Sequence, residues 1–177
     1  MQFNLIPHPA SPPGEPAFKV WANVDYAGAF GATATVNIWF GVGAPAERFV
    51  IPEGEPDRAD ELWKTTCFEA FLREAGASAY REWNFASSGQ WAAYDFSAYR
   101  EGMANADIAP PPYIRMEDNL TWWAIGATIA LDTGKHWEMG LSAVLEEKGE
   151  AKSYWALAHA GDKPDFHSPD CFAARLP

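Results

Sequence analysis

Chemistry-bearing side chains gather in YWALAHAGDKPDFH, Tyr154 to His167, where two histidines, two aspartates and three aromatics surround a Gly/Pro turn. His159, Asp165 and His167 are ligand types that zinc accepts, and Cys67 or Cys171 could join them. A zinc site needs three or four such groups converging, and the spacing here matches no metal motif. Without a metal, Asp165 could orient His167 through a hydrogen bond. Cys67 with His159 or His167, oriented by Glu69 or Asp165, has the groups of a nucleophilic dyad. No G-x-S-x-G elbow accompanies it, and a lone Cys on a strand is more often a small packed hydrophobe. Asp165 and His167 are also the pair that acid/base chemistry on a sugar-like substrate would use. Gly41-Val-Gly43 follows a strand, but Pro45 comes next and no P-loop lysine appears, so it reads as a turn.

The aromatics offer a different chemistry. The chain carries 9 Trp and 11 Phe among 177 residues. Trp39, Trp63, Trp83, Trp91, Trp122, Trp123 and Trp155 cannot all point inward, because Trp122 and Trp123 are neighbours on one expected strand and must face opposite ways. An exposed Trp ring flanked by Asn, Glu and Arg suits a sugar: the ring covers the C–H face while polar groups take the hydroxyls. The competing reading is a core, or an outer face covered by a loop.

The elements that must position these groups read as strands. Phe18–Val24 and Ala32–Phe40 alternate with period two, the second placing Ala34, Val36, Ile38 and Phe40 on one face. Thr66–Leu72 divides Phe68, Ala70 and Leu72 from Cys67, Glu69 and Phe71. Its Glu, Ala and Leu also suit a helix, but the segments that follow pair with it more naturally as a strand. Tyr80–Phe85 and Trp91–Phe96 flank Ser87-Ser-Gly-Gln90 and predict a β-hairpin. Leu120–Leu131, Trp137–Leu145 and Ser153–His159 complete the series. Pro/Gly-rich connections cover Pro7–Pro16, Pro45–Pro56 and Ala109–Pro112, and none divides the chain into domains. Asp57–Lys64 and Ala98–Ala106 are expected to form short helical turns. Together these predict one all-β domain over residues 1–177, an antiparallel β-sandwich with one or two short helices.

Bulk properties exclude some partners. A formal net charge of −11 repels phosphate backbones and anionic membranes, so neither nucleic acid nor membrane is expected as a partner. No stretch is long and apolar enough to span a bilayer. Met1-Gln-Phe-Asn-Leu5 lacks the basic start and apolar run of a secretion signal, so a cytoplasmic location is expected, with both thiols reduced. A Cys67–Cys171 disulfide is the alternative.

One further pattern carries a resemblance. The run Leu62-Trp-Lys-Thr-Thr-Cys-Phe-Glu-Ala-Phe71, then Tyr80 to Met103 (YREWNFASSGQWAAYDFSAYREGM), then Tyr154-Trp-Ala-Leu-Ala-His159 and Lys163-Pro-Asp-Phe-His167, resembles the bacterial DOMON-like group, related to the family 9 carbohydrate-binding modules. The resemblance covers most of the chain from Trp63 onward. It implies a β-sandwich that binds a ligand on one side, either a sugar or haem. The sugar-binding relatives clamp a sugar between two Trp rings, and Trp63 and Trp155 are the candidates here. The haem-binding relatives use Met and His ligands, for which Met103, Met116 and Met139 are available with His159 and His167. The group's recurring polar positions fall on Glu69, Asn84, Arg100, His159, Asp165 and His167. They either line a pocket, or Arg100 pairs with Glu69 or Asp165 as a buried tie between the hairpin and the C-terminal loop.

The favoured reading is a non-catalytic domain that binds a small molecule, a carbohydrate before others. Its expected site is Trp63, Glu69, Asn84, Arg100, Trp155, His159, Asp165 and His167. A haem or divalent-metal protein using His159 and His167 is the first alternative, and an enzyme using Asp165 and His167 the second. A protein partner meeting an exposed aromatic patch is the remaining one.

Overall fold

The structure, a computed structural model, describes residues 1–149 and 152–176, and of residues 27–30 the backbone only. One antiparallel sheet curls until its two halves face each other. The first half runs β1 (Gln2–Pro7), β2 (Val20–Phe30), β3 (Thr33–Val42), β9 (Trp123–Asp132) and β8 (Tyr113–Asp118). The second half begins again at β1 and continues through β11 (Lys152–Ala156), β10 (Trp137–Glu146), β4 (Cys67–Glu74), β5 (Tyr80–Phe85), β6 (Trp91–Phe96) and β7 (Ala104–Asn105). β12 (Ala174–Arg175) adds to the free side of β10. β1 is the seam: Gln2–Leu5 pair with β2, and Ile6 and Pro7 with β11.

The alternation read in the sequence decides what lies between the halves. Val20, Ala22, Val24, Val36, Ile38, Phe40, Trp123, Ile125 and Ile129 from one half meet Phe68, Leu72, Trp83, Phe85, Met139, Leu141, Leu145 and Trp155 from the other. Phe68 sits at the centre, its ring 5.2 Å from Phe40 and 5.4 Å from Trp123. Large side chains of this kind contribute about 1.5–3 kcal/mol each on full burial.

The second half is buried on its outer face as well. Cys67, Phe71, Tyr80, Ala92, Tyr94, Phe96, Val144 and Ala156 point outward and are covered by Leu62, Phe166 and Phe172 from two loops. β4 is therefore buried on both sides along most of its length. That explains why Thr66–Leu72 looked helical as well as extended: both of its faces carry apolar residues. The hairpin is as expected, with Phe85 opposite Trp91 and the turn closed by Ala86 N–H to the Gln90 carbonyl at 2.9 Å.

Several expectations need correction. The helical turn expected in Asp57–Lys64 is a 3₁₀ turn of Leu62–Lys64, and two more 3₁₀ turns, Ala46–Arg48 and Pro169–Cys171, had no clear signal. Ala98–Ala106 is not helical. It is a tight turn bridged at Ala98 and Glu101, with Arg100 at φ 54° and Gly102 at φ 65°, leading into β7. Leu120 lies outside its strand and Trp123 begins it, because the Asn119 carboxamide oxygen accepts from the backbone N–H groups of Thr121 and Trp122 and closes a turn there. The seam strand β1 and the edge strand β8 carry no clear signal because they bury little: β1 buries only Leu5, and β8 presents only Ile114 and Met116, both half-buried. Cys67 and Cys171 are both free thiols, and both are buried.

A buried ion pair fastens the Pro7–Pro16 connection. Arg48 Nε donates to Glu147, its Nη2 donates to the Gly14 carbonyl at 2.6 Å, and Gly14 N–H donates to the other Glu147 oxygen at 2.8 Å. Glu147 is only 3% exposed. Removing the cation strands a buried carboxylate, so Arg48→Ala should cost about 3–5 kcal/mol in urea unfolding. The double variant with Glu147→Gln should recover part of that loss. An Arg48→Ala midpoint equal to the parent's would show that Glu147 needs no partner.

Candidate ligand-binding site

A cavity of about 370 Å³ opens on the outer face of the second half-sheet. Its floor comes from strand register. β4 and β5 pair so that Phe71 lies opposite Glu82 and Glu69 opposite Asn84. Side chains alternate along each strand, so Glu69 and Glu82 stand on the same face as diagonal neighbours. Glu69 is 3% exposed and Glu82 is 4% exposed, yet both line the cavity. Each has one oxygen held from below: Ser142 Oγ donates to Glu69 Oε2 at 2.8 Å, and Asn84 Nδ2 donates to Glu82 Oε1 at 2.7 Å.

Burial pushes the Glu69 carboxyl up to about 8, and repulsion from Glu82 adds to it against the Ser142 hydrogen bond. Burial also raises Glu82, opposed by the Asn84 hydrogen bond and by the charge of Arg100.

Two loops build the walls. The first is laid along β6: Ala59 N–H donates to the Trp91 carbonyl at 2.9 Å, and Tyr94 Oη donates to Asp60 at 2.7 Å. The 3₁₀ turn that follows buries Leu62 and leaves Trp63 half-exposed, edge-on to Tyr94 at 5.8 Å. The second is the C-terminal loop, which brings Pro164, Phe166 and His167 over Phe71 and Phe96, while Tyr154 of β11 completes the aromatic lining. Arg100 and Met103, from the turn after β6, form the remaining rim.

A polar latch joins the loops. Arg100 Nη2 donates to Asp165 Oδ1 at 2.8 Å, and Tyr99 Oη donates to Asp165 Oδ2 at 2.5 Å. Asp165 also accepts from the His167 backbone N–H at 3.2 Å. The His167 ring is bonded to Tyr80 Oη through Nδ1 at 2.7 Å and packs edge-on to Phe71 and Phe96, each 5.2 Å away. Burial, with the nearby charge of Arg100, lowers its pKa to about 4, so the ring is neutral at neutral pH.

The expected site residues divide accordingly. Trp63, Glu69, Arg100 and His167 line the cavity together. Asn84 lies beneath it, fully buried and bonded to Glu82. Asp165 belongs to the latch. Its side chain orients Arg100 and Tyr99 and leaves the His167 ring to Tyr80, contrary to the expected Asp165–imidazole bond. The Arg100–Asp165 tie is the one the resemblance suggested, but it is not buried: the Arg100 side chain is 51% exposed.

Two residues fall elsewhere. Trp155 points into the inter-sheet core, its ring 5.2 Å from Phe18 and its Nε1 bonded to Ser153, so it cannot form a clamp with Trp63 on the opposite face of the sheet. His159 bonds the Ile6 carbonyl through Nε2 at 2.8 Å and stands edge-on to His8, pinning the loop to β1. Glu82, Tyr154 and Phe166 went unrecognised. Glu82 was findable, since it stands two residues from Asn84 and period two places both on one face.

Cofactor chemistry can be tested on the same geometry. Among the described residues no three His, Cys, Asp or Glu side chains cluster to hold a metal ion. Met103 and His167 share the cavity, but the imidazole is bonded at Nδ1 and faces Glu82 at 3.6 Å from Nε2. Met139 lies in the core and His159 is spent on Ile6. These residues do not fit an axial haem pair. Cys67 shares hydrogen bonds with Asn84 and the Phe68 carbonyl, and burial followed by the charge of Glu69 raises its pKa, so the thiol is a poor nucleophile.

No family model and no curated protein matches the chain. Solved structures do. One is a protein from Bacteroides uniformis proposed to bind carbohydrate, with TM-score 0.65 and 13% identity over 97% of this chain and 83% of that one. Another is a family 9 carbohydrate-binding module from Caldicellulosiruptor kristjanssonii in complex with cellotriose, with TM-score 0.50 and 10% identity over 86% and 71%. The chain has the fold of these carbohydrate-binding proteins. At such identities the likeness is one of fold, and the expected all-β architecture stands on it.

The fold also carries a second aromatic surface. Trp123 is wholly buried, whereas Trp122 faces outward with Trp21 and Trp39 in a groove of about 240 Å³ on the first half-sheet. Gly41 and Gly126 make room for two of these rings: a Cβ there would stand 2.2 Å from Trp21 and 2.8 Å from Trp39. Arg115 stacks on Trp39 at 4.4 Å.

The carboxylate floor has a titration signature. Glu69 keeps its proton in the folded protein between its ordinary value of 4.5 and about 8, where the unfolded chain has lost it. Its contribution to stability is therefore full below pH 4.5 and drains away as pH rises through 8. His167 runs the other way, contributing above 6.5 and losing that contribution as pH falls towards 4. Glu69→Gln removes the first dependence and leaves that of His167. The Tm of the variant minus that of the parent should climb from about pH 4.5 and level off above about pH 8. A flat difference would mean that Glu69 titrates normally.

Proposed function

We propose that this chain is a non-catalytic domain that binds a small carbohydrate in the cavity over Glu69 and Glu82. The observation that carries the reading is the meeting of two chemistries in one space. Trp63, Tyr154 and Phe166 supply flat apolar surface for the C–H faces of a sugar ring. Glu69, Glu82 and Arg100 supply acceptors and a donor for its hydroxyls. The volume suits a mono- or disaccharide, being at the lower end of ordinary ligand pockets of about 300–1,000 Å³. The fold is shared with a module bound to cellotriose, which adds support from a second direction.

Binding would depend on preorganisation. The latch through Asp165 and the Tyr80–His167 bond hold the walls before a ligand arrives, which lowers the entropic cost of closing them.

Isothermal titration calorimetry with glucose and cellobiose tests the reading. Trp63→Ala should weaken binding by about tenfold, close to 1.4 kcal/mol. Trp39→Ala, on the far half-sheet, should leave it unchanged. If Trp39→Ala abolishes binding and Trp63→Ala does not, the sugar sits in the Trp21–Trp39–Trp122 groove instead.

A further inference from the structure

The cavity floor carries two carboxyl groups that no cationic side chain hydrogen-bonds among the described residues. Its acidic, basic and imidazole groups are Glu69 from β4, Glu82 from β5, Arg100 from the turn after β6 and His167 from the C-terminal loop, with Asp165 of that loop bonded to Arg100. Arg100 is bonded to Asp165, so those two charges offset each other. His167 is neutral at neutral pH. Glu69 and Glu82, only 3% and 4% exposed, make no ion pair with Arg100, whose charge reaches both from the rim.

Their hydrogen bonding is also incomplete. Ser142 and Asn84 occupy one oxygen of each carboxylate. Glu69 Oε1 and Glu82 Oε2 accept no hydrogen bond among the described residues; the Glu82 oxygen has His167 Nε2 at 3.6 Å. A neutral hydroxyl can donate to these oxygens but brings no positive charge to the carboxyl pair. An ammonium group donates three hydrogen bonds and neutralises charge as well. The aromatic lining favours the same guest, since ring faces attract cations. A divalent metal ion is a poor alternative, because hard cations require about six to eight oxygens and these walls are rings.

We propose that the cavity selects an amine-bearing sugar, of the hexosamine class, over the corresponding neutral sugar, with its ammonium group seated between Glu69 and Glu82. This rests on the sugar-binding reading of the same cavity. The ammonium takes the place of the proton that burial keeps on the empty floor, so amine binding expels a proton and neutral-sugar binding does not.

D-Glucose and D-glucosamine, which differ by one hydroxyl exchanged for an amine, are titrated calorimetrically at about pH 6.5, where the amine is charged. The parent protein should bind glucosamine at least about tenfold more tightly. Repeating the titration in buffers of different ionisation enthalpy should show proton release with glucosamine alone. In Glu82→Gln the ratio of the two affinities should fall to within about threefold, a readout from which any loss common to both sugars cancels. Affinities within about threefold in the parent, with glucose binding still weakened about tenfold in Trp63→Ala, would overturn the amine preference and leave the sugar site standing. Binding of neither sugar would overturn both.

Discussion

Burial of the second half-sheet on both faces is the constraint from which the site follows. Its inner face packs against the other half, as any sandwich requires. Its outer face is covered by two loops, and that cover leaves Glu69 and Glu82 only 3% and 4% exposed on the floor of an open cavity. A buried carboxylate must be hydrogen-bonded, neutralised or protonated. Ser142 and Asn84 meet part of that demand from within the sheet. The remainder is what a ligand can supply.

The loops are held by contacts that have little to do with the floor. Asp60 on Tyr94, Arg58 on the carbonyls of Ala93 and Ala106, and Asp165 on Arg100 and Tyr99 are hydrogen bonds made at the rim. Phe166 and Phe172 anchor the C-terminal loop by burial. The carboxylates are thus preorganised by their strands and the walls by their own latches. This separates the stability of the fold, which rests on the Phe68-centred core and the Arg48–Glu147 tie, from the composition of the cavity.

The two half-sheets differ in how they treat their outer faces. The first leaves Trp21, Trp39 and Trp122 half-exposed, with Trp21 over Gly41 and Trp39 over Gly126. The second covers its rings and keeps polar groups beneath. A flat aromatic face and an acidic cavity demand different guests, and in the acidic cavity Glu69 and Glu82 each keep one oxygen without a hydrogen bond among the described residues.

The strands and their facing were legible in the sequence, because period-two alternation reports directly which side chains share a face. The opposed Phe68–Leu72 and Cys67–Phe71 sets, the Ser/Gly hairpin and the apolar face from Trp123 to Leu131 all emerged that way. Trp63 and Arg100 came within reach through the family resemblance, and Glu69 and His167 also through their own residue chemistry. Edge strands such as β8 were not, since they bury too little to leave a pattern. Only the tertiary structure decided which face of each strand meets the core and which the cavity. A Trp reads alike on either side of a sheet, so Trp155 was assigned to the site and belongs to the core. His159 and Asp165 likewise carry the right chemistry, but hydrogen bonds to Ile6 and Arg100, distant in sequence, commit them elsewhere. Residue type and local spacing determine what a side chain can do; long-range packing determines what is left for it to do.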